Sequence, residues 1–189
     1  EKVTAIIKQG ENSDGYLFMA TKKGTIKKTA VKEFLTLRSN GMIAIKLDAG
    51  DELKWIQETT GGNDVVISTS AGQAMRFNEK DVRSMGRSAK GVRGIRLRPK
   101  DEIVGMDVIH DRGQKLLVMS ANGYGKATLA ENFPAHKRGG VGIRVANVTT
   151  KTGPIVAVHT MDPAAKEIIM MSTKGIAIRV AVSDIPTLG

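Results

Sequence analysis

Tyr16-Leu17-Phe18-Met19-Ala20-Thr21-Lys22-Lys23-Gly24-Thr25-Ile26-Lys27-Lys28-Thr29 is a short apolar run, a polar-Gly pair and a second short run. The apolar run suits a strand buried on both faces. The Gly suits a tight hairpin turn, because it takes positive φ without steric cost. The phrase returns three times: Val65-Val66-Ile67 before Ala71-Gly72, Leu116-Leu117-Val118-Met119 before Asn122-Gly123, and Ile168-Ile169-Met170-Met171 before Lys174-Gly175. The four glycines lie 48, 51 and 52 residues apart. A fixed period of this size marks stacked supersecondary units that bury their apolar surface on one another.

Two more landmarks keep the same phase. Each unit opens on an apolar-rich strand, as in Asp51-Glu52-Leu53-Lys54-Trp55-Ile56 and Asp101-Glu102-Ile103-Val104-Gly105-Met106. Each closes on an alternating segment: Gly-Met-Ile-Ala-Ile-Lys-Leu at 41–47, Gly-Val-Arg-Gly-Ile-Arg-Leu at 91–97 and Gly-Gly-Val-Gly-Ile-Arg-Val at 139–145. Ile43, Ile45 and Leu47 share one face, as do Ile95 and Leu97, and Ile143 and Val145. Lys46, Arg96, Arg98 and Arg144 point the other way. The first unit therefore predicts strands at 3–8, 16–21, 25–29 and 42–48. Single helical turns are expected at 31–34, 79–82, 130–133 and 182–185, anchored by Phe34, Val82, Phe133 and Ile185. Four short strands in about 50 residues predict an all-β, propeller-like array of four-stranded blades. The expected blades are roughly 1–50, 51–100, 101–152 and a partial 153–189. The opening directly on a strand and the close at Thr187-Leu188-Gly189 lead us to expect a fragment of a longer protein.

With 41% hydrophobic residues there is enough apolar material for a core, but aromatics at 4% leave it to aliphatic chains and Met. Cys is absent, which removes disulfides, thiolate chemistry and Cys-type zinc sites and fits a reducing compartment. No apolar stretch approaches the roughly 20 residues of a membrane helix, so no membrane partner is expected.

The net charge is +10, and 83–100 alone holds seven basic residues and no acidic one. A basic surplus spread over several units suggests a long polyanion. Four residues after the hairpin Gly stand Lys28, Arg76 and Arg179, with Lys126 one position earlier in the third unit. Lys46, Arg96 and Arg144 coincide in the closing segments. The preceding loops add Arg38, then Arg83, Arg87 and Lys90, then Lys137 and Arg138, while Arg93 and Arg98 complete the central stretch. Side by side, these positions would form a stripe that neutralises the phosphates of a bent duplex. Neighbouring Gly86, Gly91, Gly94, Gly139, Gly140 and Gly142 would admit phosphates to the backbone, and they equally suit turns and bulges. No aromatic interleaves with 83–100, which argues against single-strand binding.

No catalytic or metal site emerges, and no cofactor is expected. His110, His136 and His159 lie in different units without metal-ligand spacing. There is no phosphate-binding loop of the G-x-x-x-x-G-K-[ST] type.

The stretch quoted first resembles the C-terminal domain of the bacterial DNA gyrase A protein. So do Val82-Arg83-Ser84-Met85-Gly86-Arg87-Ser88-Ala89-Lys90-Gly91-Val92-Arg93-Gly94-Ile95-Arg96-Leu97 and Asn122-Gly123-Tyr124-Gly125-Lys126. The corresponding domain of topoisomerase IV is similar. The resemblance implies a β-pinwheel, with strands exchanged between neighbouring blades and a basic perimeter that wraps duplex DNA to support negative supercoiling. It implies no catalysis by this region, and a cytoplasmic, nucleoid-associated setting. The partners it implies are double-stranded DNA, the remainder of the gyrase A protein and, through it, the ATPase subunit. The family's Gln-basic-basic-Gly-Gly-basic-Gly box has its nearest match in His136-Lys137-Arg138-Gly139-Gly140-Val141-Gly142, which lacks the Gln and has Val141 at a basic position. The true box and the cleavage domain are expected before Glu1. The alternative reading is a propeller that docks an acidic protein partner.

Overall fold

The computed structural model describes residues 3, 6, 7, 14–36, 41–111 and 113–189. The strand expected at 3–8 and Arg38 fall largely or wholly outside them. The described chain forms thirteen strands. They are β1 Tyr16–Thr21, β2 Thr25–Ala30, β3 Leu53–Thr59, β4 Asp64–Thr69, β5 Gln73–Asn78, β6 Val92–Arg93 and β7 Ile103–Ile109. There follow β8 Lys115–Ser120, β9 Gly125–Leu129, β10 Ile143–Arg144, β11 Ile155–Thr160, β12 Glu167–Met171 and β13 Ala177–Ala181.

Each apolar run pairs with the run after its glycine. β1 meets β2 with Phe18 opposite Lys28, and β4 meets β5 with Val66 opposite Arg76. The turns close as the polar-Gly pairs predict. Gly24, Gly72, Gly123 and Gly175 have φ of +86°, +78°, +82° and +79°. Each N–H donates to the carbonyl three residues earlier, at 2.9–3.0 Å. The four expected helical turns are present as 3-10 turns: Val31–Phe34, Glu79–Asp81, Ala130–Asn132 and Val182–Asp184. Val82 and Phe133 behind them are buried, whereas Phe34 and Ile185 are half-buried.

The sheets draw strands from two successive units. The first has the order β3-β1-β2-β6, so its outer strands come from the unit that follows its hairpin. The second, β10-β5-β4-β7, repeats the arrangement. The third sheet is β11-β8-β9 and the fourth is the β12-β13 hairpin. The exchange expected from the resemblance is therefore observed. It also sets where the core lies, since a hairpin and its borrowed strands pack against the next sheet. Phe18, Ile26, Ile67, Phe77, Val82, Ile95 and Met106 form one cluster, with the Phe18 and Phe77 rings 6.0 Å apart. Val66, Leu116, Val118, Phe133, Val145, Ile155 and Val158 belong to a second. Each such side chain contributes about 1.5–3 kcal/mol by leaving water.

Three expectations are corrected. Residues 42–48 form no strand. Ile45 is buried, but Ile43 and Leu47 are 68% and 42% exposed. Closing segments become strands only where a preceding hairpin offers an edge, as β2 does to β6 and β5 does to β10. Second, the last hairpin is not buried on both faces: Ile169 and Met171 are 66% and 78% exposed, and among the described residues β12 pairs with β13 alone. Third, the third closing segment aligns three residues later than the glycine pattern suggests. Arg93 pairs with Thr25, and Arg144 pairs with Gln73, each the residue just after its hairpin Gly. Gly142 rather than Gly139 is thus the counterpart of Gly91. A side chain at Gly91 would meet the Ile26 carbonyl at 2.5 Å, and one at Gly142 the Ala74 carbonyl at 2.6 Å. Arg144 therefore matches Arg93, and Asn147 matches Arg96.

Candidate nucleic-acid interface

The exchanged strands bring the basic residues to the sheet edges. Arg93 lies on the outer strand of the first sheet and Arg144 on that of the second, and both are exposed. Lys46, Arg83, Lys90, Arg96, Arg98, Lys137 and Arg179 are also exposed. Arg87, Lys126 and Arg138 are half-buried. Between the Gly24 turn and β6 lies a cleft of about 680 Å³, lined by Lys23, Lys90, Arg93 and Arg96 with Asp48 as its one carboxylate. Lys90 pairs with Asp48 at 2.8 Å, and both side chains are more than half exposed, so water screens the pair.

The loops that carry these charges are held by backbone bonds from blade to blade. Gly94 N–H donates to the Gly24 carbonyl (2.8 Å), Gly139 N–H to Gly94 (2.6 Å) and Arg96 N–H to Gly140 (2.7 Å). Arg138 spends its guanidinium on the carbonyls of Arg93 (3.0 Å) and Asp81 (3.1 Å), and so fixes the loop that presents Lys137. Arg144 donates to the Asn147 side chain (3.1 Å), Lys126 to the Gly189 carbonyl (3.1 Å), and Arg179 pairs with Glu167 (3.0 Å).

Lys28 and Arg76 are not on this surface. Both are buried in the seam between hairpin and neighbour. Lys28 Nζ donates to the Glu79 carbonyl at 2.7 Å, stands 3.7 Å from its carboxylate and lies 5.0 Å above the Tyr16 ring. Burial lowers its pKa, and Glu79 opposes that shift. Arg76 pairs with Asp64 at 2.7 Å and donates to the carbonyls of Ala130 (2.9 Å) and Phe133 (3.3 Å). Both are bolts between sheets, because the strand bearing them is covered on both faces.

Lys27 does not stand out in the sequence, yet it has no exposed surface. Its Nζ donates to the Ala44 carbonyl (2.7 Å) and to that of Arg87, tying segment 41–48 to the basic loop. Desolvation, helped by the Arg87 charge, lowers its pKa to about 8. The signal that could have found it is its place in a strand beside a run buried on both faces. Among the described residues, no three His, Cys, Asp or Glu side chains gather as a metal site.

The family model described as DNA gyrase C-terminal domain, beta-propeller, matches residues 15–59, 63–110, 114–160 and 166–189. The chain belongs to the DNA gyrase C-terminal domain family. The first three matched spans each join a hairpin to the opening strand that follows, the grouping seen in the sheets. The DNA gyrase A protein of Salmonella typhimurium (strain LT2) is 40% identical over 190 residues, covering 100% of this chain and 21% of the relative. That of Staphylococcus aureus (strain MRSA252) is 38% identical over 184 residues, covering 97% and 21%. The chain thus spans about a fifth of these relatives. A solved DNA gyrase A C-terminal domain superposes with a TM-score of 0.84 at 27% identity, covering 96% of this chain and 60% of that one. The C-terminal domain of a DNA topoisomerase IV shares the fold, with a TM-score of 0.87 at 24% identity over 96% of this chain and 56% of its own.

Proposed function

We propose that this gyrase-family chain is a non-catalytic module that binds and bends duplex DNA for a type II topoisomerase. One observation carries the reading: strand exchange sets an exposed arginine, Arg93 and then Arg144, at the same edge position of successive sheets. Lys46, Arg83, Lys90, Arg96, Arg98 and Lys137 extend that exposed surface, with Arg87, Lys126, Arg138 and Arg179 at its margins. Such side chains neutralise phosphates and release counterions without reading sequence, so preference would follow bendability. Lys28 and Arg76 are left out, since their charges are spent inside the fold. In this reading the duplex curves round the blades and returns a second segment to the remainder of the gyrase A protein, which works with the ATPase subunit. A defined handedness of that curve supports negative supercoiling. The setting would be the cytoplasm, on the nucleoid.

The test is to ligate a nicked plasmid in the presence of the chain, strip the protein and measure linking number, with a parallel gel shift. A shifted linking number is expected, and its sign reports handedness. Absence of both binding and shift at moderate salt overturns the reading in favour of an acidic protein partner.

A further inference from the structure

Two seams between successive units share their backbone bonds and differ in charge. At the first, Lys46 N–H donates to the Ala89 carbonyl (3.2 Å), and at the second, Arg96 N–H donates to the Gly140 carbonyl (2.7 Å). The residues after the two acceptors, Lys90 and Val141, are therefore equivalent. Just beyond, Asp51 N–H donates to the Asp48 carbonyl (3.0 Å) and Asp101 N–H to the Arg98 carbonyl (3.1 Å), so Asp48 and Arg98 hold one position. At these two positions the first seam carries a carboxylate and an ammonium, which cancel. The second carries Arg98 and an uncharged valine, so a positive charge remains.

Asp48 is the one carboxylate of the cleft that Lys23, Lys90, Arg93 and Arg96 line. Its backbone is fixed there. Lys23 Nζ donates to the Ala49 carbonyl (2.9 Å), Lys23 N–H to the Asp51 carboxylate (2.9 Å), and Lys27 Nζ to the Ala44 carbonyl (2.7 Å). Its side chain is 57% exposed and meets Lys90 Nζ at 2.8 Å. Unlike the buried Lys28–Glu79 pair, this one is open to exchange with an incoming anion. The exposure belongs to the position, since Arg98 is exposed too although its own segment pairs with β2 through β6.

We propose that Asp48 is a resident counter-anion of the cleft: its carboxylate takes the place of a DNA phosphate on Lys90 and must be displaced before the first seam grips the duplex. The inference rests on the DNA-binding reading and adds an order of engagement to it. Arg98 meets phosphate directly, and Lys90 follows only by giving up its ion pair. A phosphate that enters beside Asp48 is repelled by it. The carboxylate left behind gathers a cation from solution, which offsets part of the counterion release.

A fluorescent linear duplex is titrated with the 189-residue chain and its variants over a series of salt concentrations. Asp48→Asn keeps the backbone bond to Asp51 and is expected to tighten binding about two- to fivefold, the span of an exposed ion pair. It should also steepen the fall of log K with log salt by about 0.9, one further phosphate. Both gains should vanish when Lys90→Met is added to Asp48→Asn. Arg98→Met is expected to weaken binding and to flatten the slope by about 0.9. Asp162→Asn removes an equal charge from the exposed loop after β11 and should change binding far less. Equal tightening by Asp162→Asn, or a gain that survives the loss of Lys90, overturns the assignment, because net charge alone is then at work. So does an Arg98→Met chain that binds like the wild type. Wild-type binding that Asp48→Asn merely matches overturns this inference alone, whereas failure of every form to bind duplex overturns the DNA-binding reading and this inference with it.

Discussion

Glu79 has no exposed surface, and every oxygen of its carboxylate is used. One accepts from the N–H groups of Gly61 and Asn63 (both 2.8 Å), and the other from the Thr59 hydroxyl (2.7 Å), with Lys28 beside it. Removing one member of such a buried pair strands the other charge, at a cost of about 3–5 kcal/mol. Glu79→Ala is expected to lower urea-unfolding stability by that amount, and Lys28→Met by less, since Glu79 keeps three other donors. Lys27 yields a pH effect. The folded chain releases its proton near pH 8, whereas the ordinary value is 10.5. The unfolded state then binds more protons between those limits, so stability rises with pH across the window. Lys27→Met keeps the volume and is expected to flatten that rise. It also removes two bonds to carbonyls, so the Lys46 amide should exchange about tenfold faster, equivalent to ~1.4 kcal/mol. These three cations, Lys27, Lys28 and Arg76, mark the limit of reading charge from spacing. The repeat positions of Lys28 and Arg76 were plain and that of Lys27 was not, but whether a basic residue faces solvent or a neighbouring sheet depends on what is packed there.

At the level of elements, the hairpins were legible because one glycine and one apolar run determine each. The closing segments were not, because His136 to Gly142 offers three glycines and hence more than one alignment with Gly91. Only the ladder of β10 on β5 decides between them. The resulting fit is tight. A Cβ at Gly94 would stand 2.6 Å from Ile26 and 2.9 Å from Ile67, so Gly94→Ala is expected to cost about 1–3 kcal/mol by overpacking and to loosen β6 first in hydrogen exchange. The opening strands are joined through Asp107 on β7. It accepts from Gln57 of β3 (3.3 Å) and from Thr160 N–H of β11 (2.7 Å), and faces His159 Nδ1 (3.3 Å). The hydrogen bond to Asp107 raises the His159 pKa above its ordinary 6.5, against desolvation. The contribution of protonated His159 is complete below the unfolded value and lost as pH rises through the folded one. A thermal midpoint that falls across that interval, and a shallower fall in Asp107→Asn, is the expected result.

For the molecule as a whole, the charge distribution makes a prediction about salt. The logarithm of the DNA association constant should fall linearly with the logarithm of salt, by about 0.9 per phosphate neutralised. Arg93→Ala and Arg144→Ala should each reduce that slope by about one phosphate's worth on every sequence tested, and Arg76→Ala should lose stability instead. A salt-insensitive complex would remove phosphate contact as the basis of binding. Strand exchange also has a consequence during synthesis. Val92 follows Ala30 by 62 residues, so the first sheet cannot be finished until the ribosome has made much of the next unit. At about 5–20 residues per second, the nascent β1-β2 hairpin waits roughly 3–12 s for its last partner. For that interval its edge is open to any strand within reach, and the order of emergence becomes part of what selects the correct neighbour.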